Sequence, residues 1–226
     1  MKTSLTALYD NPNIWRASQR TSCEQKYALG HQPLDHALNG GIAPSGVVRI
    51  SSHTGIGELS LFKAVLTEPQ KHKLRVFINC PAIIQAPWLN AFGIDLKQTL
   101  AINTQSDDDA LWAAEQCLKS TACHCVVLWN NRLTAKTARR LQVASTHNNA
   151  LCLIFCDNPP DISLPISLDL SLHRHEKNVT VDVLKQRHGW PVKGISISLP
   201  WTPDNTAIQS AMHKSTSQQQ AFNSVI

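Results

Sequence analysis

A strand–loop–helix segment near residue 50 limits the possible folds of this chain more than any other feature. The β-branched run over residues 47–50 predicts a buried strand, and a glycine-containing turn leads into an apolar helical pattern that reaches residue 66. This is the context in which the phosphate-binding loop G-x-x-x-x-G-K-[ST] occurs. Here Ser52 stands at the first glycine and Gly57 at the second, and Glu58 and Leu59 replace the lysine and the hydroxyl residue.

These replacements remove the chemistry of a nucleotide site from Ser52, Gly55, Gly57, Glu58 and Leu59. The missing lysine would bind the β- and γ-phosphates, and the missing hydroxyl would bind Mg²⁺. A carboxylate about 4 Å from a phosphate charge is repelled by roughly 4 kcal/mol at an effective dielectric of about 20. Glu58 could instead occupy the anion-favouring helix N-terminus. The sequence therefore predicts a degenerate loop that holds no cofactor, no metal and no catalytic residue.

Composition sets broad limits on the class of protein. The chain has 226 residues, 42% hydrophobic, with a net charge of +5, which suits one α/β domain with short extensions. This mildly basic balance permits contact with DNA without requiring it. No apolar leader or membrane-length run is visible, and the seven cysteines lack the spacing of a disulfide scaffold. We expect reduced thiols and a cytoplasmic location without membrane contact.

Strand and helix patterns alternate along the chain. Predicted strands cover residues 47–50, 74–79, 100–102, 125–129 and 151–156. Predicted helices cover residues 34–38, 59–66, 87–92 and 134–146, and one more helix begins after Ser106, which is its N-cap. Three further strands at 168–174, 179–186 and 195–199 are separated only by turns. The pattern predicts an α/β fold, a mostly parallel sheet flanked by helices with an antiparallel edge. Residues 1–25 are interpreted as an arm, 26–203 as the domain and 204–226 as a flexible tail.

The segment from residue 27 to about 200 resembles the RecA-like fold of recombinases. The resemblance rests on Leu-Asn-Gly-Gly-Ile at 38–42, the degenerate loop, Phe-Ile-Asn-Cys at 77–80, Val-Val-Leu-Trp at 126–129 and Lys-Gln-Arg-His-Gly at 185–189. Within that fold the chain is most similar to the ImuA family, accessory proteins of damage-induced translesion DNA synthesis. Its most specific matches are Gly-Ile-Gly-Glu-Leu at 55–59 and Ala-Leu-Trp-Ala-Ala-Glu-Gln at 110–116. The SulA family of division inhibitors resembles residues 107–156 more loosely.

The resemblance implies an inactive ATPase acting as an adaptor. Cys80 stands where recombinases keep a catalytic glutamate, and Asn130 follows the strand whose end would carry a Mg²⁺-orienting aspartate. The implied partners are an inactive Y-family polymerase homologue of the ImuB type, an error-prone replicative-type polymerase and the RecA recombinase. The alternative is an SOS cell-division inhibitor, SulA-like, that binds the tubulin-like division-ring protein. An active ATPase is disfavoured because several groups would have to be replaced from elsewhere.

Three groups of residues are candidates for partner binding. Lys185 and Arg187 resemble the basic strand end by which recombinase subunits reach a neighbour's ATP, although a solvated strand end is an equal alternative. Arg139 and Arg140 belong to a basic helix without nearby acids, for which an ordinary solvated face is the alternative. Trp15 and Arg16 lie in the polar arm, where the tryptophan either folds back or docks on a partner.

Two further patterns carry little weight. Cys-His-Cys at 123–125 and the pair Cys152 and Cys156 invite a zinc interpretation, but no tight C-x₂-C pair occurs and buried thiols fit better. Gln-Gln-Gln-Ala-Phe at 218–222 has the spacing of a sliding-clamp peptide without its central aliphatic residues. We interpret this second pattern as chance.

Overall fold

The computed structural model describes residues 26–69, 72–84, 86–157, 162–175, 178–187 and 189–198. The predicted arm, the tail, Trp15 and Arg16 lie outside the described residues. Within the described part of the chain, no helix is both long enough and apolar enough to cross a bilayer.

The described residues form one eight-stranded sheet in the order β3-β2-β4-β5-β1-β6-β7-β8. Its strands are β1 Gly46–Ser51, β2 Leu74–Ile78, β3 Thr99–Ile102, β4 Cys123–Trp129, β5 Leu151–Cys156, β6 Leu168–His175, β7 Asn178–Gln186 and β8 Val192–Ile197. The strands from β3 to β6 pair in parallel, and β7 and β8 add an antiparallel edge. The predicted mostly parallel sheet with an antiparallel edge is confirmed.

Helices cover both faces of this sheet. They are α1 Gln32–Ala37, α2 Glu58–Leu61, α3 Lys63–Thr67, α4 Ala86–Phe92, α5 Asp107–Lys119 and α6 Ala135–His147. Helices α1 to α4 pack on one face, where Val48 and Ile50 of β1 point, and α5 and α6 pack on the other, where Val47 points. Successive side chains of β1 therefore point into two separate hydrophobic cores, which is why this strand is mostly apolar.

The predicted helix over residues 59–66 is two short helices. Phe62 lies between α2 and α3 with φ −100° and ψ 16°, outside the helical region. Its ring is fully buried and meets Phe155 of β5 edge-on, with ring centroids 5.9 Å apart. The periodicity of the sequence does not reveal such a break, because it reflects the spacing of apolar residues and contains no information on how one ring packs.

The first turns of α5 and α6 follow the predicted capping. The Ser106 hydroxyl accepts the Asp109 amide at 3.1 Å and donates to the Asp109 carboxylate at 2.7 Å. The Thr134 hydroxyl accepts the Thr137 amide at 3.2 Å. Each cap satisfies an amide that the helix leaves unpaired, and together they fix where the two long helices begin.

A buried ion pair joins β1 to β6, the parallel strand on which the antiparallel edge is built. Arg49 of β1 lies opposite Asp169 of β6 and donates to it through Nε at 2.9 Å and through Nη2 at 2.6 Å. Both side chains are 7% exposed. The two parallel hydrogen bonds satisfy both charges inside the protein, so β6 is held at one register against β1.

Candidate functional site

Four strand ends meet where an open α/β sheet ordinarily binds its ligand. The segments that follow β1, β2, β4 and β5 surround a cavity of about 150 Å³, half the lower limit of about 300 Å³ for small-molecule sites. Its walls include Ser52 and Glu58 from the degenerate loop, Pro81 after β2, and Asn130 and Asp157 after β4 and β5. The volume is too small for a nucleoside triphosphate in this conformation.

The carboxylate of Glu58 folds back onto the loop. Its two oxygens lie 3.1 and 3.3 Å from the Gly55 amide nitrogen, and the residue is 5% exposed. In a working loop the backbone amides point at phosphate. Glu58 lies in the first turn of α2, and its carboxylate contacts the amide of Gly55 in the loop that leads into this helix. Gly57, with φ 93°, precedes α2 in the left-handed conformation and permits the sharp entry into the helix.

Neighbouring side chains close the rest of this cavity. Trp129 stacks on Phe155 with ring centroids 5.3 Å apart. Asn130 is buried, donates to the Asp107 carbonyl at 3.1 Å and accepts the Arg132 amide at 2.8 Å. The side chain expected to stand in for a Mg²⁺-orienting aspartate therefore serves as a structural hydrogen-bonding group.

Cys80 follows β2 at the position where a catalytic glutamate was considered. The thiol is half-buried, and burial raises its pKa, with the nearby Glu58 charge adding to the effect. A thiol with a raised pKa stays protonated at neutral pH and is a poor nucleophile. The preceding Asn79 exchanges hydrogen bonds with Thr104 at 2.7 to 3.2 Å, which ties the end of β2 to the segment after β3.

A second feature is the open groove between α5 and α6, which we call the α5–α6 groove. It encloses about 560 Å³ and is bordered by Glu115, Lys119, Lys136, Arg139, Arg140, Val143, Ala144, His147 and Asn148. Arg139 and Arg140, the two candidates for partner binding on this helix, both border the groove. Lys136 and Arg140 are four residues apart and therefore share one helix face. Val143 lies one turn after Arg139 and Arg140 on the same helix and is 61% exposed.

One carboxylate anchors the wall of the α5–α6 groove. Glu115 is 7% exposed at its side chain, contacts Arg140 through both oxygens and lies 2.7 Å from the Lys119 ammonium. Burial raises its pKa, but the hydrogen bonds from Lys119 and Arg140 outweigh burial and hold the pKa below its usual range. Glu115 therefore stays charged and orders two of the groove's cations.

Lys185 and Arg187 lie at the opposite end of the sheet from the degenerate loop. The Lys185 ammonium donates to the Leu164 carbonyl, and the Arg187 amide donates to the Ser167 carbonyl at 3.0 Å. Arg187 is exposed and lines a cavity of about 390 Å³ together with Lys26 and Gln186. The structure thus separates the two predicted candidates: Lys185 has a structural contact, and the Arg187 side chain faces outward.

Trp112 and Val143 were not singled out from the sequence as functional residues. Trp112 is 62% exposed and lies on α5 one turn before Glu115. The sequence contained a signal for Trp112, because this residue does not share the 3.6-residue period of the other apolar residues of the helix. Those residues are Ala110, Leu111, Ala114, Cys117 and Leu118. A large aromatic residue on the outer face of an amphipathic helix has no core to fill and is typical of a contact surface.

The cysteines of the described segments do not gather into a metal site. Cys123, Cys125, Cys152 and Cys156 are buried in β4 and β5, in line with the buried-thiol interpretation. Among the residues the structure describes, no group of three or more histidine, cysteine, aspartate or glutamate side chains is placed to hold a metal ion.

Comparison with solved structures finds a likeness to a SulA protein. The chain is similar to the crystal structure of SulA from Pseudomonas aeruginosa, with a TM-score of 0.43 and 22% identity over 50% of this chain and 98% of that one. A likeness of this degree does not decide between functions. No family model matches the sequence. No curated protein matches it either.

Proposed function

We propose that this chain is a non-catalytic adaptor of damage-induced translesion DNA synthesis, built on a RecA-like scaffold whose phosphate loop no longer works. The observation that carries the proposal is the Glu58 carboxylate, which accepts the Gly55 amide and borders a cavity of only about 150 Å³. A nucleotide would have to displace a negative charge from a loop that lacks the usual lysine. An α/β scaffold without that chemistry acts by binding other molecules.

The proposed partners follow from the sequence resemblance. They are the inactive Y-family polymerase homologue, the error-prone replicative-type polymerase and the RecA recombinase. Surfaces suited to protein partners support an adaptor role, because the exposed Trp112 and Arg187 are of the residue types that dominate binding energy at interfaces. Arg187 lies at the sheet end opposite the degenerate loop, where it can reach a second molecule.

The test is affinity purification of the full chain from DNA-damaged cells, with mass spectrometry of the co-purified proteins. We expect the polymerase homologue and the recombinase, with recovery reduced by Trp15→Ala in the arm and by Arg187→Glu. The matched control is Lys193→Glu, which makes a similar charge reversal on the exposed edge strand β8. Arg187 is preferred to Lys185 for this comparison, because Lys185 also supports the Leu164 carbonyl.

Two results would contradict the proposal. Recovery of the tubulin-like division-ring protein alone, with cell filamentation on overexpression, would assign the chain to division inhibition instead. Recovery of no replication or recombination protein, with the chain folded and expressed at its normal level, would remove the adaptor role.

A further inference from the structure

The α5–α6 groove carries an excess of positive charge. Four cationic side chains and one carboxylate border it, which gives a net charge of +3 with His147 neutral. Lys136 and Arg139 make no ion pair with any residue that the structure describes. Helix α6 contains no acidic residue between Ala135 and His147. The groove therefore presents charge that its own surroundings leave uncompensated.

The interior of the same groove is apolar. Val143 lies one turn after Arg139 and Arg140 and is 61% exposed, and Ala144 is buried beside it. Five of the residues that border the groove share one face of α6, because they follow the spacing i, i+3, i+4, i+7 and i+11. They are Lys136, Arg139, Arg140, Val143 and His147. Trp112, one turn before Glu115, extends the apolar surface along α5. The groove lining therefore combines cationic side chains with the exposed apolar side chain of Val143, and Trp112 adds an exposed aromatic side chain on α5.

We propose that the α5–α6 groove binds an acidic amphipathic helix of a partner protein. Apolar anchors at i, i+3 or i+4, and i+7 would lie on Val143 and Ala144, and flanking aspartate or glutamate residues would meet Lys136 and Arg139. A groove bounded by two roughly 13-residue helices offers about four turns of contact. This inference rests on the proposed function only in treating the chain as a protein-binding adaptor.

Charge complementarity alone would also fit a nucleic acid, but the exposed apolar side chains of Val143 and Trp112 favour a protein helix. A phosphate backbone presents charges without apolar anchors, and phosphate contacts come chiefly from charged and polar groups. A duplex on this face would leave Val143 and Trp112 without a matching surface. DNA is therefore one arm of the test rather than the proposed occupant.

The test begins with selection of displayed random 16-residue peptides on the immobilised full chain. We expect the enriched sequences to share apolar residues at helical spacing flanked by Asp or Glu. The affinity of one synthetic selected peptide is then measured by fluorescence anisotropy for wild type, the double variant Lys136→Glu with Arg139→Glu, Val143→Ser, and the control Lys193→Glu. A 20-base-pair duplex DNA is titrated against the same four proteins.

The inference predicts a different response for each variant. The double charge reversal lowers peptide affinity by at least about tenfold, because two attractive rim contacts become repulsive. Val143→Ser lowers peptide affinity by about fivefold and leaves any DNA binding unchanged. Lys193→Glu changes peptide affinity by less than about twofold. These residues are exposed, so circular dichroism and thermal unfolding should match wild type for all of the variants.

Several outcomes would overturn the inference. The first is that the enriched peptides contain no acidic residues. The second is that the double variant Lys136→Glu with Arg139→Glu binds the peptide as tightly as wild type does. The third is that no peptide is enriched, while the same double variant loses binding to the duplex DNA. This failure is separable from failure of the adaptor proposal. If the double variant still recovers the replication partners from damaged cells and still binds the peptide, only the groove inference is wrong. If groove-dependent peptide binding is present but no replication or recombination partner is recovered, only the adaptor proposal is wrong.

Discussion

The ion pair between Arg49 and Asp169 holds β6, which carries the antiparallel edge, against β1, and its removal should destabilise the fold strongly. Arg49→Met keeps most of the side-chain volume but leaves the Asp169 carboxylate buried at 7% exposure without its two donors at 2.9 and 2.6 Å. Breaking a buried pair by removing one partner costs about 3–5 kcal/mol. The free energy of unfolding of a domain is only about 5–15 kcal/mol, so this variant should lose a large fraction of it.

The measurement is urea unfolding of wild type, Arg49→Met, Asp169→Leu and the double variant, followed by tryptophan fluorescence at neutral pH. The double variant should lie within about 1–2 kcal/mol of wild type, because a well-packed apolar pair replaces a buried ion pair with little net change. The two single losses would then fail to add, which marks direct coupling. The reasoning is refuted if Arg49→Met costs less than about 1 kcal/mol, or if the double variant loses the sum of the single losses.

Three further predictions concern pH, backbone and charge. His124 is buried, and burial, with Arg75 adding repulsion, lowers its pKa to about 4. Because the pKa of a histidine in the unfolded chain is about 6.5, the stability that neutral His124 contributes is full above that pH and falls as the pH drops towards 4. Urea unfolding should therefore show a loss of about 2 kcal/mol in the free energy of unfolding between pH 7 and pH 5. The variant His124→Leu should abolish this loss. Gly41→Ala should lower the melting temperature clearly more than Gly40→Ala in a thermal unfolding scan, because both have positive φ but only a Cβ at Gly41 would lie 2.1 Å from a backbone oxygen; equal losses would contradict this. Glu115→Gln removes the only carboxylate among the described residues that border the α5–α6 groove. The affinity for the selected acidic peptide, measured by fluorescence anisotropy, should rise by about threefold. Unchanged or weaker binding would count against charge complementarity.

Much of the architecture could be predicted from the sequence because local pattern and tertiary structure agree along most of the chain. Strand β5 matches residues 151–156, since a run of six apolar residues is the usual length of a strand buried on both faces and is short for a helix. The caps at Ser106 and Thr134 were readable because a hydroxyl before an apolar period satisfies a free helix amide wherever it occurs. The antiparallel edge followed from short strand patterns separated only by turns.

What the sequence did not reveal depends on contacts between distant segments. The pairing of Arg49 with Asp169 joins residues 120 positions apart, and the strand pattern of either residue gives no sign of the other. The contact between the Glu58 carboxylate and the Gly55 amide depends on the conformation of the loop, which residue types alone do not give. The α5–α6 groove required the packing of two helices to bring Val143 and the cations of α6 beside Glu115 and Lys119.

The central claim is that this chain works through partners and not through a nucleotide, and the most direct measurement is isothermal titration of the full chain with ATP and Mg²⁺, with an active recombinase as the positive control. The account predicts no saturable heat up to millimolar nucleotide and no phosphate release. Saturable binding in the micromolar range, above all with hydrolysis, would contradict it, because Glu58 would then have to leave the loop and another cation would have to replace the missing lysine.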